Sequence, residues 1–196
     1  MTDKIPMVIV TDRKILDKRL EPSLHQFLTE MERGDYLQQY RSQFIVMRER
    51  DLNQRSYKNI FKEVKKVADC HGIPLHSHSH LIEGAVCHLP YSLFSQLKEE
   101  EKLPQDFGVS IHHVDEGLEA ERAGASYVFF GNVYETSCKP EKVGTGLEKL
   151  KDVCSALSIP VYAIGGMDDE RGEEAVSCGA KGMAVRSLVS FYLMDI

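Results

Sequence analysis

Two adjacent glycines, Gly165 and Gly166, end the apolar run PVYAIGG, and Arg186 with Ser187 ends a second run, KGMAVRS. Glycines at a strand end expose backbone N–H groups, and an arginine and a hydroxyl nearby complete a cradle for a phosphate. The plainer requirement that two glycines meet is a tight turn. Arg48 ends a third run, FIVMRER, and is followed by Glu49, Arg50 and Asp51. A guanidinium pointing into a site grips a carboxylate or phosphate bidentately, so Arg48 is the expected substrate-binding residue. Pointing outward, the same RERD cluster is a set of solvated ion pairs worth little. Alternation after Ile45, Val46 and Met47 leaves open which arginine turns inward.

A denser polar group follows the run SYVFFG: Asn132, Tyr134, Glu135, Thr136, Cys138 and Lys139. Asn132 and Glu135 are candidates for the chemistry, and Thr136 and Lys139 for holding a substrate, although loops without a function are often as polar. Cys138 has no histidine beside it in sequence and is not expected to act as a nucleophile. Histidines form the last group: His76, His78 and His80 alternate in HSHSH, with His88 and the pair His112–His113 further on. Period-two histidines share one face of a strand and could ligate a metal. The HSHSH segment holds no Asp or Glu, so a polar strand end is the better expectation and no metal site is assigned. His76 and His112 remain candidates for a general base near neutral pH.

These residues need elements to hold them. Eight strand-like runs recur: Met7–Asp12, Phe44–Arg50, PLHSH from Pro74, AVCHLP from Ala85, FGVSIHH from Phe107, SYVFFG from Ser126, PVYAIGG from Pro160 and KGMAVRS from Lys181. Helical periodicity lies between most of them. Residues 56–70 place Ile60, Phe61, Val64 and Val67 on one face, and residues 114–123, 146–157 and 168–178 follow suit, the first and last of these stopping at Gly124 and Gly179. Eight β/α alternations in 196 residues predict a single-domain (β/α)₈ barrel, an α/β fold of the TIM-barrel class spanning 1–196, over a doubly wound open sheet. The link between strands three and four is too short for a crossover helix, and the last helix is expected to be truncated. In such a barrel the strands' carboxyl ends carry the site, which is where every candidate above falls.

Composition narrows the class. Apolar residues make up 42% and charged residues 28%, and a net charge of -6 gives no basic stripe for nucleic acid. No apolar run is long enough to span a membrane, and the first residues carry no secretory signal. Five widely spaced cysteines, an odd number with no CxxC pair, fit a reducing compartment. A cytoplasmic protein is expected.

Several motifs together resemble the thiamine phosphate synthase superfamily and, within it, the thiazole tautomerase (TenI) branch. They are VTDR (Val10 to Arg13), MRERDL (Met47 to Leu52), SIH (Ser110 to His112), EAERAGASYVFFGNVYETSCKP (Glu119 to Pro140), GTGLEKL (Gly144 to Leu150), IPVYAIGGM (Ile159 to Met167) and AVRSL (Ala184 to Leu188). They run in order along nearly the whole chain. The resemblance implies a barrel that binds a thiazole phosphate, its phosphate held by Gly165, Gly166 and the Ser187 region. Synthases of the superfamily join a pyrimidine diphosphate to the thiazole phosphate with Mg²⁺ held by aspartates near strands three and four. Here that stretch reads LHSHSHLIEGAVCHLPYS and lacks both aspartates. The tautomerase branch needs no metal and catalyses an aromatising proton shift on a thiazole carboxylate phosphate. The expectation is therefore a tautomerase-type enzyme without cofactor, taking a small thiazole phosphate as its partner, with a homodimer as the assembly that relatives suggest. Asn132 stands where that branch has its proton-transfer histidine. Asn132 would orient the ligand, and His112, His76 or Glu135 would move the proton. A non-catalytic thiazole phosphate-binding regulator and a thiamine phosphate synthase are the alternatives.

Overall fold

Strand alternation decides the architecture. In Phe44–Met47 every second side chain, Phe44 and Val46, turns to one buried cluster, while Ile45 and Met47 turn to another. Both faces are apolar because both are covered, the signature of a parallel sheet wrapped by helices. A computed structural model of the chain, describing residues 4–14, 20–33, 39–135 and 144–186, shows this sheet closed on itself. The strands are β1 (Ile5–Val10), β2 (Tyr40–Met47), β3 (Leu75–His78), β4 (Cys87–Pro90), β5 (Phe107–Ile111), β6 (Tyr127–Gly131), β7 (Val161–Ile164) and β8 (Gly182–Val185). All neighbours are parallel and follow chain order, and β8 pairs with β1 to complete the barrel. The predicted (β/α)₈ class is the one observed.

Six helices cover the described barrel: α1 (Leu20–Arg33), α2 (Gln54–Cys70), α3 (Tyr91–Glu99), α4 (Val114–Arg122), α5 (Gly146–Ala156) and α6 (Asp169–Ser177). No helix separates β3 from β4, as the short link predicts. The expected truncation after β8 falls on residues 187–196, outside the described residues. Sequence periodicity did not single out α1 or α3. Pro22 sits in the first turn of α1, where its missing N–H costs nothing, and α3 starts directly after Pro90, the last residue of β4.

Two apolar regions result. Inside the barrel lie Val8, Val10, Phe44, Val46, Tyr127, Phe129, Tyr162 and Ala184. Between strands and helices lies the larger cluster that contains Met7, Ile45, Phe61, Phe94 and Phe130. Tyr57 of α2 ties this annulus to the strand ends: its hydroxyl donates to the Met47 carbonyl at 2.5 Å and accepts the His78 N–H at 2.9 Å. Asn53 caps α2 by accepting the Ser56 N–H at 2.9 Å. The carboxyl ends of β2 and β3 are thereby fixed relative to one another, and both supply side chains to the barrel mouth.

Candidate active site

The carboxyl ends of the strands enclose a cavity of about 620 Å³. β2 contributes Arg48 and Arg50, β3 His78, β4 His88, β5 Ser110 and His112, β6 Asn132, β7 Gly165 and Gly166, and β8 Arg186. The inward register of Phe44 and Val46 continues to Arg48 and Arg50, so both arginines face the cavity. The acidic members of the same cluster turn away. Glu49 is buried, accepts the Thr11 hydroxyl at 2.7 Å and the Arg13 N–H, and Asp51 pairs with the Arg13 guanidinium at 2.6 Å. Burial pushes the Glu49 carboxyl up, against the hydrogen bonds from Thr11 and Arg13. RERD is thus neither wholly a site nor wholly a surface patch. Its cations enter the cavity and its anions clamp the loop after β1.

Asp12 holds two of the cations in place, with its carboxylate 3.3 Å from an Arg48 guanidinium nitrogen and 3.4 Å from one of Arg186. The proton affinity of Arg48 is lowered, first by burial and then by Arg50 and Arg186, with Asp12 and Glu49 acting in the opposite sense. Three guanidiniums around one cavity have the charge and donors to hold an anion. Replacing Arg48 with Gln removes one charged hydrogen-bonding partner worth about 1.5–3 kcal/mol. Inorganic pyrophosphate is then expected to bind roughly 10- to 100-fold more weakly by calorimetry, and an unchanged affinity would refute the assignment.

Gly165 and Gly166 line the same cavity at φ of +100° and +66°. The carbonyls of Ile164 and Gly165 accept the N–H groups of Val133 and Tyr134 at 2.9 and 3.1 Å, so the loops after β6 and β7 are laced together. Arg171 of α6 donates to the Gly166 carbonyl at 2.7 Å and its guanidinium sits 4.7 Å from the centre of the Tyr134 ring. Asn132 is buried beside Gly165. Its amide donates to the Tyr134 carbonyl at 3.1 Å, and its own carbonyl accepts the Thr145 N–H at 2.9 Å.

The structure brings Arg48, Arg186, Gly165, Gly166, Asn132 and His112 together around one cavity. His112 stands beside Glu116, which accepts its backbone N–H at 2.6 Å and lies 3.5 Å from its Nδ1. His76 does not line the cavity. It is buried deeper in the barrel, stacked on Phe44 at 4.2 Å, and burial pushes its imidazole down to about 4. Glu135 is exposed and stands outside the cavity lining. Thr136, Cys138, Lys139 and Ser187 lie outside the described residues.

Arg50, His78, His88, Ser110, Glu116 and the bridging Asp12 enter the site without having been assigned a role from sequence. Period two was the available signal for Arg50 and His78. The HSHSH pattern breaks at Ser79, whose φ of +62° ends β3, so His80 leaves the barrel and bonds Gln54 at 2.6 Å. His78 and His88 face the mouth where Mg²⁺-binding aspartates would be expected. Burial, above all, holds His78 down to about 3 and His88 well below its ordinary value. Mg²⁺ takes oxygen ligands, and two neutral imidazoles do not supply them. Among the described residues, no group of three His, Cys, Asp or Glu side chains is placed to hold a metal ion. The residues present do not fit that metal.

Comparison with known proteins supports the same frame. The family model for thiamine monophosphate synthase matches residues 7–189. A thiamine-phosphate synthase of Clostridium acetobutylicum is 30% identical over 188 residues, covering 92% of this chain and 85% of the relative. Thiamine-phosphate synthase 2 of Streptococcus pneumoniae is 30% identical and covers 87% and 83% of the two chains. Among solved structures, thiamine phosphate pyrophosphorylase from Pyrococcus furiosus superposes with a TM-score of 0.75 at 23% identity, over 96% of this chain and 88% of that one, a likeness of fold. No described helix is long and apolar enough to cross a membrane. With the model match running almost from end to end, this chain belongs to the thiamine monophosphate synthase family.

Proposed function

We propose that this protein is an enzyme of thiamine biosynthesis that joins a thiazole phosphate to a pyrimidine diphosphate, the synthase reaction. The observation that carries the reading is that two anion-binding walls share one cavity: Gly165 and Gly166 after β7, beside Arg186 of the neighbouring β8, and Arg48 and Arg50 after β2. One wall suits a monophosphate and the other suits a diphosphate. The arginines would neutralise charge that grows on a departing diphosphate, and Asp12 keeps two of them aimed. The names of the relatives favour this reading over the tautomerase expected from sequence. No step is assigned to Mg²⁺, because β3 and β4 present His78 and His88 where its oxygen ligands would be needed.

A second reading, the tautomerase-type proton shift, is favoured by the His112–Glu116 pair at the cavity wall. A carboxylate beside an imidazole fixes its orientation and supports proton transfer, a role Asn132 cannot fill. Both readings predict binding of a thiazole phosphate, with a cytoplasmic, homodimeric enzyme as the working expectation. The deciding experiment supplies thiazole phosphate and pyrimidine diphosphate, with Mg²⁺ and with a chelator, and follows thiamine phosphate by chromatography. Product formation supports the synthase. Its absence, with aromatisation of the thiazole carboxylate phosphate accelerated over buffer, replaces that reading with the second. Binding without either reaction leaves a non-catalytic binder.

A further inference from the structure

Below the cavity floor a chain of hydrogen bonds runs into the barrel. The Ser110 hydroxyl, which lines the cavity, lies 2.7 Å from Nε2 of His88. Nδ1 of His88 lies 3.2 Å from the Tyr127 hydroxyl, and that hydroxyl lies 3.1 Å from Nδ1 of His76. Tyr127 and His76 do not line the cavity. Phe44 stacks on His76 at 4.2 Å, Phe129 lies 4.2 Å from His88, and Tyr162 meets Tyr127 edge-on. Gly108 makes the arrangement possible, since a Cβ there would stand 2.3 Å from the Tyr127 ring.

We propose that Ser110, His88, Tyr127 and His76 form a charge-neutral relay that lets the Ser110 hydroxyl meet a ligand either as acceptor or as donor, with Tyr127 and His76 as positioning residues. In one arrangement Ser110 donates to His88 Nε2, His88 Nδ1–H donates to Tyr127, and Tyr127 donates to His76 Nδ1. The Ser110 oxygen is then left to accept from the ligand. In the other, His76 Nδ1–H donates to Tyr127, Tyr127 donates to His88 Nδ1, and His88 Nε2–H donates to Ser110, whose own proton turns to the ligand. Each arrangement holds one proton on each hydroxyl and one on each ring, so neither gains charge; in passing from the first to the second, Ser110 takes a proton from the ligand or a water as it hands its own to His88, and His76 releases its Nε2 proton to a water. Neutrality matters because both rings are buried and an imidazolium there is strongly disfavoured. A heterocycle whose ring nitrogen changes between N–H and lone pair could keep its bond to Ser110 in both forms. The relay rests on the proposed function only for the identity of that ligand.

The test is long-range ¹H–¹⁵N spectroscopy of histidine-labelled, ligand-free protein at neutral pH, comparing wild type, Tyr127→Phe and His76→Phe. Both variants keep an aromatic ring in place. Each is expected to shift the balance between the Nδ1–H and Nε2–H forms of His88, whereas a purely space-filling role for Tyr127 and His76 would leave it unmoved. The same His88 tautomer in wild type and Tyr127→Phe overturns the relay, and a shift in Tyr127→Phe without one in His76→Phe overturns it as stated. Adding thiazole phosphate to wild type is expected to shift the His88 balance as well. Failure of that ligand to bind counts against the proposed function, while the ligand-free comparison still decides the relay.

Discussion

Acidification from pH 7 to pH 4 is expected to remove several kcal/mol of folding stability, at about 1.4 kcal/mol per pH unit for each buried imidazole. His76 is held down to about 4, His78 to about 3 and His88 well below its ordinary value of 6.5, each first by burial. A group whose folded value is depressed binds its proton more readily in the unfolded chain. Its contribution is complete above pH 6.5 and is lost as pH falls toward the folded value, roughly 3 kcal/mol for His76 by pH 4. Glu49 works in the opposite sense because its folded value is raised, so it offsets part of the loss. Three imidazoles against one carboxylate leave the net slope downward toward acid. Urea unfolding at pH 7, 6, 5 and 4.5 measures that slope, and His76→Phe should flatten it by about one imidazole's share. A stability that stays level between pH 6.5 and 4.5 would show that these rings carry a proton in the folded barrel. The same neutrality matters for function: at physiological pH His78 and His88 add no positive charge beside the cavity.

The fold was legible because most strands carry apolar side chains on both faces and the helix pattern returns between them at barrel spacing. Even the absent helix between β3 and β4 could be read from the few residues joining HSHSH to AVCHLP. The place of Gly165, Gly166 and Arg186 at the cavity was legible for a related reason, since all three fall where apolar runs end. The barrel interior was harder. Sequence cannot say how far down an inward histidine lies, so His76 looked like a base although its ring is sealed beneath the mouth, while His88 reaches the cavity. Ser79 was a second obstacle, because one residue at φ +62° breaks a perfect alternation and sends His80 outside. Asp12 shows a third limit. It looks like an ordinary strand-end acid until Arg48 and Arg186, far apart in sequence, converge on it.

Substituting Gly165 with Ala is expected to abolish ligand binding and to cost about 2–4 kcal/mol of stability, from backbone strain with a steric overlap added to it. At φ +100° an L side chain is strained by about 1–3 kcal/mol on its own. The added Cβ would also stand 2.4 Å from Asn132 Cβ and 2.7 Å from Asn132 Cα. Neither partner can retreat freely. Asn132 is tied to Tyr134 and Thr145, and the Gly165 carbonyl is tied to the Tyr134 N–H. The loop after β7 must then move away from the loop after β6, and the backbone N–H groups that would face a phosphate move with it. Gly146 supplies the control. Its φ of +83° imposes similar strain, but an added Cβ meets nothing within 4 Å. Gly146→Ala should therefore lose only about 1–3 kcal/mol and keep its affinity for thiazole phosphate. Calorimetric titration of both variants, beside their urea unfolding curves, separates strain from collision. Equal losses of affinity in the two would mean that strain in the loops, and not the close approach of Gly165 to Asn132, shapes the phosphate wall.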